Sequence, residues 1–204
     1  ESYKGIGVAN FGDASAFSFH ATKVFNTIEG GAVTARDHRI YEKLYDLKNF
    51  GIRGEELVVS VGANAKMNEF AAIMGLCNLK HITEAIDDRK RIYEFYLKEI
   101  QEVKGIRIFE IDKNIVQNYA YFPIVVSEKY IMERDELYKQ LIQHGIYARK
   151  YFFPLTVDQV CFKNKYRNLP LPVAHSLTKK ILVLPIFEGM KEDIQKKILR
   201  VIRG

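Results

Sequence analysis

The order of strand-like and helix-like segments predicts an α/β protein. In several short segments apolar residues alternate with small or polar ones, and in several longer segments they recur at steps of three and four. The chain has 204 residues, of which 48% are hydrophobic and 27% are charged, as in ordinary globular proteins. We therefore expect one domain or two small ones.

The first part of the chain is predicted to contain two strands and a helix. The strands are expected at residues 13–19 and 31–35, and the helix at residues 37–50, ending at Gly51. Residues 52–65 are irregular and contain glycine. A long irregular segment inside a domain indicates a functional loop or an interface loop.

A long helix is predicted to connect two domains. Asn68 is a good N-cap, and apolar residues continue at helical spacing, so the helix is expected over residues 68–102. A charge cluster lies at its middle. We place the domain boundary near Ile86, which gives domains of residues 1–86 and 87–204.

The rest of the chain is predicted to form a compact α/β unit of about a hundred residues, a suitable size for one domain. Its strands are expected at residues 106–109, 119–126, 147–152 and 181–184. Its helices are expected at residues 134–143, 173–179 and 191–202.

Charge and hydropathy argue against several classes of protein. The net charge of +6 comes from 31 basic and 25 acidic residues, which alternate along the predicted helices as solvated faces do, so no nucleic-acid partner is expected. No apolar run is long enough to span a bilayer, and we expect no membrane partner. Neither the histidines nor Cys77 and Cys161 have metal-binding spacing. We therefore expect no metal, and a reducing, cytoplasmic location.

Lys23 is the first candidate for chemistry, because it follows a predicted strand and precedes a glycine pair, Gly30 and Gly31. A lysine amine can form a Schiff base with an aldehyde cofactor such as pyridoxal phosphate, and can also move protons. Ser18 offers a hydroxyl to a phosphate, and the glycines allow the backbone to approach a ligand closely. The alternative is a solvated surface lysine, as most lysines are.

A family resemblance rests on the segment around this lysine. Residues 18–23 read Ser-Phe-His-Ala-Thr-Lys and residues 29–33 read Glu-Gly-Gly-Ala-Val. This phrase resembles the cofactor-lysine signature of the DegT/DnrJ/EryC1/StrS sugar aminotransferases, which are pyridoxal-phosphate enzymes of the aspartate-aminotransferase fold. Further similarities lie at residues 62–72, 118–123, 134–137, 145–154 and 182–185.

The resemblance implies roles for several residues. Lys23 would hold pyridoxal phosphate covalently and act as the general base of the proton shift, and Ser18 would bind the cofactor phosphate. Asn64 and Lys66 match a family loop that reaches the neighbouring subunit's cofactor phosphate, so a homodimer is implied for the full-length protein. The sequence departs from the family here, because Ala65 replaces an aromatic residue and Lys66 replaces an arginine. Lysine keeps the charge and loses the bidentate fork.

Other residues are predicted to contact the substrate. His20 would face the sugar or the diphosphate, the alternative being a histidine bonded to the backbone. The family's nucleotide-sugar site is bordered by a segment that matches Tyr147, Arg149, Lys150 and Tyr151. The alternative for these four residues is a solvated strand edge.

The resemblance covers about the C-terminal half of the family's fold. The carboxylate that pairs with the pyridinium nitrogen, and the phosphate cradle, lie upstream of the family's lysine, whereas 22 residues precede Lys23 here. The chain thus corresponds to the end of the large pyridoxal-phosphate-binding domain plus the small C-terminal α/β domain. We expect the 204 residues alone to bind the cofactor poorly.

The function implied is transfer of an amino group, from an amino-acid donor such as glutamate, to a nucleotide-linked 4-keto-6-deoxy sugar. The sequence around Lys23 is most similar to that of the branch that aminates C4 of a dTDP-linked sugar. That branch implies the biosynthesis of a surface polysaccharide such as lipopolysaccharide, or of another glycoconjugate. The family's dehydratase branch has histidine in place of the lysine, so Lys23 argues against it. Two alternatives are a non-catalytic binding or regulatory module that retains the fold, and a basic nucleic-acid-binding protein.

Overall fold

The structure is a computed structural model that describes residues 1–162, 165–166 and 169–204. Helices and strands are mixed along the chain, which confirms the α/β prediction. The chain divides into two compact units, Glu1–Ile86 with Asp112–Asn118, and Asp87–Ile111 with Tyr119–Gly204. The assignment of residues 1–86 to a large domain and of residues 87–204 to a small one stays a prediction.

Ten strands and six α-helices lie within the described residues. The strands are β1 (Ser2–Tyr3), β2 (Ile6–Gly7), β3 (Ala14–Ser18), β4 (Gly31–Ala35), β5 (Ile52–Arg53), β6 (Leu57–Val58), β7 (Ile106–Ile108), β8 (Ile115–Val116), β9 (Phe122–Val126) and β10 (Ile181–Leu184). The helices are α1 (His38–Lys48), α2 (Glu69–Leu79), α3 (Ile82–Ile100), α4 (Arg134–Gln143), α5 (Pro172–Lys180) and α6 (Glu192–Arg203).

The two strands predicted first are confirmed as an antiparallel pair, β3 and β4. Their register runs from Ala14 opposite Ala35 to Ser18 opposite Gly31. A second, separate sheet of the first unit has the strand order β2-β1-β8. The turn that connects β3 to β4 carries Lys23, the residue predicted to bind the cofactor.

The single helix predicted over residues 68–102 is wrong, because Lys80 and His81 separate α2 from α3. The amides of these two residues bond to carbonyls three residues back instead of four, which interrupts the α-helical ladder. The predicted N-cap is confirmed: the Asn68 side-chain oxygen accepts a hydrogen bond from the Ala71 amide (2.9 Å).

The second unit contains an antiparallel sheet in the order β10-β9-β7, and Ile124 of β9 is paired with Leu182 on one side and Ile108 on the other. Helices α3, α4 and α6 contribute Tyr96, Leu137 and Ile198 to one continuous apolar core with this sheet. Of the buried apolar side chains among the described residues, Ala71 and Ala85 belong to the first unit and the others to the second.

Two strand predictions in the second unit need correction. The strand predicted over residues 147–152 is wrong, because a single residue, Arg149, pairs with Val183 there before the chain turns and the Phe153 amide bonds to the Lys150 carbonyl. The strand predicted from residue 119 begins three residues later. The helices predicted at residues 134–143, 173–179 and 191–202 are confirmed as α4, α5 and α6.

Within the described part of the chain, no helix has the length and apolar character needed to cross a membrane. In the same residues, no group of three histidine, cysteine, aspartate or glutamate side chains is arranged to hold a metal ion.

Candidate active site

Lys23 lies in the turn that joins β3 to β4. Two backbone hydrogen bonds extend the strand pairing into this turn: the Phe19 amide donates to the Gly30 carbonyl (2.8 Å), and the Thr27 amide donates to the Phe19 carbonyl (2.9 Å). The Lys23 amide donates to the His20 carbonyl (2.9 Å). The lysine is therefore held in a closed, hydrogen-bonded loop.

The Lys23 side chain is half-buried. Among the residues that the structure describes, none forms a hydrogen bond or an ion pair with Nζ. An amine that is not engaged by a carboxylate is sterically free to meet an aldehyde. This arrangement suits the covalent role predicted for Lys23.

The glycine pair after the turn is required by close backbone packing. Gly30 has a φ of 154°, and a Cβ there would collide with the Thr27 hydroxyl and the Met67 methyl group. A Cβ on Gly31 would lie 2.6 Å from the Phe17 carbonyl oxygen of the paired strand. Any larger residue at these positions would therefore push β4 away from its neighbours beside the lysine.

Ser18 and His20 lie just before the lysine. The Ser18 hydroxyl is exposed and accepts a hydrogen bond from the His20 amide (3.4 Å). The His20 ring contacts two side chains: Nδ1 lies 3.0 Å from the Thr22 hydroxyl, and Nε2 lies 3.7 Å from a Glu29 carboxylate oxygen. Nδ1 also accepts from the Thr22 backbone amide (3.4 Å). The ring is thus oriented from both sides, and the substrate contact predicted for it stays a prediction.

Asn64 and Lys66 lie on a segment that returns to the end of α1. Asn64 pairs with Asn49 through its backbone. The Lys66 amine donates to the Asn49 side-chain oxygen (2.9 Å) and lies 4.5 Å from the centre of the Phe50 ring. These contacts hold Lys66 within its own unit, and its predicted reach to a neighbouring subunit stays a prediction.

In the second unit, the predicted basic and aromatic cluster divides into two groups. Arg149 donates to the Tyr151 hydroxyl and also lies 5.4 Å from the centre of that ring. The Lys150 amine instead lies 2.6 Å from the Asp135 carboxylate, and this hydrogen bond lowers the pKa of Asp135 below its ordinary value. Tyr147 is exposed. The structure therefore joins Arg149 to Tyr151 and directs Lys150 toward α4.

Two aromatic residues of this cluster were not predicted. The Tyr121 ring lies 5.7 Å from the Tyr151 ring, edge to face, and the Phe152 ring stacks on Tyr151 at 4.5 Å. The sequence offered one indication of this cluster, because Phe152 directly follows Tyr151. Together the three rings form one aromatic surface beside the Arg149 guanidinium.

Three further residues that hold the lysine turn were not predicted from the sequence. Thr27 is only 2% exposed, and its hydroxyl donates to the Glu29 carbonyl (2.8 Å). A Cβ on Gly75 of α2 would lie 2.8 Å from the Thr27 methyl carbon Cγ2. The Asn78 side-chain amide donates to the Asn26 carbonyl (2.9 Å). The one signal available was Gly75 itself, since a glycine inside an apolar helix often marks close packing.

A lysine in the loop between two strands of an α/β fold is compatible with an enzyme that binds an aldehyde cofactor through lysine. The sequence profile of the DegT/DnrJ/EryC1/StrS aminotransferase family matches residues 1–203. The chain belongs to this family, which confirms the resemblance. Aminotransferases of this family depend on pyridoxal phosphate.

Several curated relatives of the chain are named as sugar transaminases. The chain is 36% identical over 196 residues to a dTDP-4-amino-4,6-dideoxy-D-glucose transaminase of Shigella dysenteriae, covering 96% of this chain and 53% of that protein. It is 38% identical over 178 residues to an Escherichia coli transaminase of the same name, covering 86% and 48%. The chain thus spans about half the length of the curated relatives it matches.

Solved structures of sugar aminotransferases share the fold. DesI, solved in the presence of its TDP-sugar product, superposes with a TM-score of 0.91 at 30% identity, covering 99% of this chain and 52% of DesI. A family aminotransferase from Brucella abortus gives a TM-score of 0.88 at 26% identity, covering 99% and 53%. These superpositions confirm the prediction of a partial aminotransferase fold.

Proposed function

We propose that the protein containing these residues is a pyridoxal-phosphate-dependent aminotransferase that moves an amino group from glutamate to a nucleotide-linked 4-keto-6-deoxy sugar. The observation that carries this proposal is the half-buried Lys23, whose amine has no partner among the described residues, on a turn followed by two closely packed glycines. The Shigella dysenteriae and Escherichia coli relatives, named for dTDP-4-amino-4,6-dideoxy-D-glucose, support amination at C4 of a dTDP-linked sugar.

The residues around Lys23 fit pyridoxal phosphate. A primary amine without a competing carboxylate can bind the aldehyde, and the exposed Ser18 hydroxyl can donate to the phosphate. When bound, the cofactor supplies an electron sink for the carbon that loses its proton. Lys23 Nζ would accept the proton that the donor's α-carbon loses, and the Ser18 hydroxyl would hold the phosphate.

We assign substrate contacts to His20 and to the cluster of the second unit. His20 is already oriented by Thr22 and Glu29, so its ring can meet a ligand without rearrangement. A guanidinium suits diphosphate oxygens, and aromatic faces suit a base or a sugar. The residues proposed to border the nucleotide sugar are Tyr147, Arg149, Lys150 and Tyr151.

The test is an assay of the full-length protein with glutamate and a small panel of nucleotide keto-sugars. We expect amination of a dTDP-4-keto-6-deoxy sugar, and a fall in rate of at least ~10²-fold in Lys23→Ala, because the general base is lost. The matched control is Lys43→Ala, which removes an exposed lysine of α1 and should keep full activity. Undiminished activity in Lys23→Ala would contradict the assignment.

The proposal includes a homodimer in which Asn64 and Lys66 contact the partner's cofactor phosphate. It is supported by α2, where Phe70 is 86% exposed and Leu76 is 64% exposed, an apolar surface that a subunit contact would cover. In light scattering of the full-length protein, Phe70→Glu should lower the dimer fraction, and Lys80→Glu at the exposed end of α2 should not. A monomeric wild type would refute the dimer.

We place the enzyme in the cytoplasm, in the biosynthesis of a surface polysaccharide such as lipopolysaccharide. Cys77 and Cys161 are both exposed and unpaired, which suits a reducing compartment. Mass spectrometry of the protein purified without reductant should find both as free thiols.

A second candidate for the 204 residues is a non-catalytic binding or regulatory module that retains the fold. We then expect the isolated chain to show no lysine-dependent cofactor absorbance when mixed with pyridoxal phosphate. A cofactor band that Lys23→Ala abolishes would contradict this candidate.

A further inference from the structure

Two asparagine side chains connect α2 to the lysine turn. The Asn78 amide donates to the Asn26 carbonyl (2.9 Å), and the Asn26 side-chain amide donates to the Lys23 carbonyl (3.3 Å). The Asn26 side-chain oxygen accepts from the Ile28 amide (3.3 Å). Asn78 is therefore linked, through one residue, to the backbone of the lysine itself.

Asn78 shares a face of α2 with Gly75, because residues three apart are neighbours on a helix. Thr27 packs against the bare backbone of Gly75, which fixes how close the turn comes to the helix. The Asn78 hydrogen bond is a second contact between α2 and the same turn, made to the neighbouring residue Asn26. The turn is thus held to the helix by one packing contact and one hydrogen bond.

The turn needs such an anchor because its backbone is strained. Ile28 has a φ of 68°, a left-handed conformation that β-branched residues rarely adopt. Strained residues persist where surrounding contacts over-determine them. If the asparagine link is cut, the turn can relax and carry Lys23 away from its present position.

We propose that Asn78 is a positioning residue for Lys23, holding the lysine turn in register on α2 without touching substrate or cofactor. The proposal rests on the proposed role of Lys23 as the reactive amine. It predicts that the position of Lys23 depends on the hydrogen-bond donor of Asn78 and not on the size of that side chain.

The test compares Asn78→Ala and Asn78→Asp in the full-length protein, because aspartate keeps the shape and removes the donor. The control is Asn10→Ala, which removes an exposed asparagine that bonds the Gly7 carbonyl (3.3 Å). One readout is the rate of Lys23 acetylation by an activated acetate ester in full-length protein freed of cofactor, since bound cofactor would occupy the amine; it is measured by mass spectrometry relative to exposed Lys43. The others are kcat, KM for the sugar, and the melting temperature.

Both Asn78 variants should raise the relative acetylation of Lys23 and lower kcat by about 10- to 100-fold at nearly unchanged KM, since small misplacements of a catalytic group have effects of this size. Asn10→Ala should change neither quantity. A lower melting temperature with unchanged Lys23 acetylation would show a purely structural role and overturn the proposal, as would wild-type behaviour of Asn78→Asp. If the wild type proves inactive, the proposed function fails, and the acetylation rates still decide the positioning role.

Discussion

Gly75 offers the sharpest test of how the lysine turn is held. In Gly75→Ala the new methyl group would lie 2.8 Å from Thr27 Cγ2, inside any normal carbon–carbon contact. Thr27 cannot move aside easily, because it is buried, its χ1 is restricted by β-branching, and its hydroxyl is bonded to the Glu29 carbonyl. Gly30 also lies close to the Thr27 hydroxyl, since a Cβ on Gly30 would collide with that oxygen.

Two opposing effects decide whether Gly75→Ala raises or lowers the free energy of unfolding. Alanine in place of glycine within a helix gains about 1 kcal/mol of stability. Forcing a methyl group into a filled site costs about 1–3 kcal/mol. We therefore expect Gly75→Ala to lower the free energy of unfolding by roughly 1 kcal/mol, although helix propensity alone predicts stabilisation.

Thr27→Ser separates the two effects, because it removes Cγ2 and keeps the hydroxyl. Urea unfolding followed by circular dichroism, on both single variants and the double variant, gives the coupling energy directly. In the Thr27→Ser background Gly75→Ala should be neutral or stabilising, which requires a coupling of at least about 1 kcal/mol between the two positions. Additive single effects would refute the argument that Thr27 packs on Gly75.

Two further predictions concern single hydrogen-bonded carboxamide and carboxylate groups. Asn68→Ala removes the cap of α2 and should lower stability by about 1 kcal/mol in urea unfolding, whereas Asn68→Asp should retain most of it. Asp88 accepts from Arg91 (2.7 Å) and from the Gly189 amide (2.6 Å), and the Arg91 bond chiefly lowers the pKa of Asp88. A lowered folded-state pKa means that this stabilisation is present above the unfolded pKa of about 4 and is lost as the pH falls through the folded pKa. Asp88→Asn should therefore be less stable than the wild type by roughly 1 kcal/mol at pH 7. The urea midpoints of the two proteins should converge below about pH 4. A constant difference down to acidic pH would contradict the stabilising role of the Asp88 carboxylate.

The sequence predicted those helix ends and strands that are determined by residues close together in the chain. Asn68 was identifiable as a cap because its partner, the Ala71 amide, is three residues away. The strands beside Lys23 followed from their own alternation, and their connecting phrase pointed to Lys23 and Ser18. These features are set by neighbours in the sequence, so the sequence alone was enough to find them.

Features that depend on distant residues were missed. The interruption after Leu79 occurs beside Asn78, whose side chain bonds to a carbonyl 52 residues earlier in the chain. The strand predicted over residues 147–152 failed because Arg149 is the one residue of that segment that pairs with β10, opposite Val183. Lys150 was grouped with its sequence neighbours, although Asp135 of α4 draws its amine to another side.

The scarcity of buried apolar side chains in the first unit has a consequence for protection against hydrogen exchange. Among the described residues, Ala71 and Ala85 are the buried apolar side chains of that unit, whereas the second unit encloses Tyr96, Phe122 and many others. Amide protons of β9 should exchange only on global unfolding. Those of β3 and β4 should exchange through local openings of low free energy. Covering the first unit would slow this exchange.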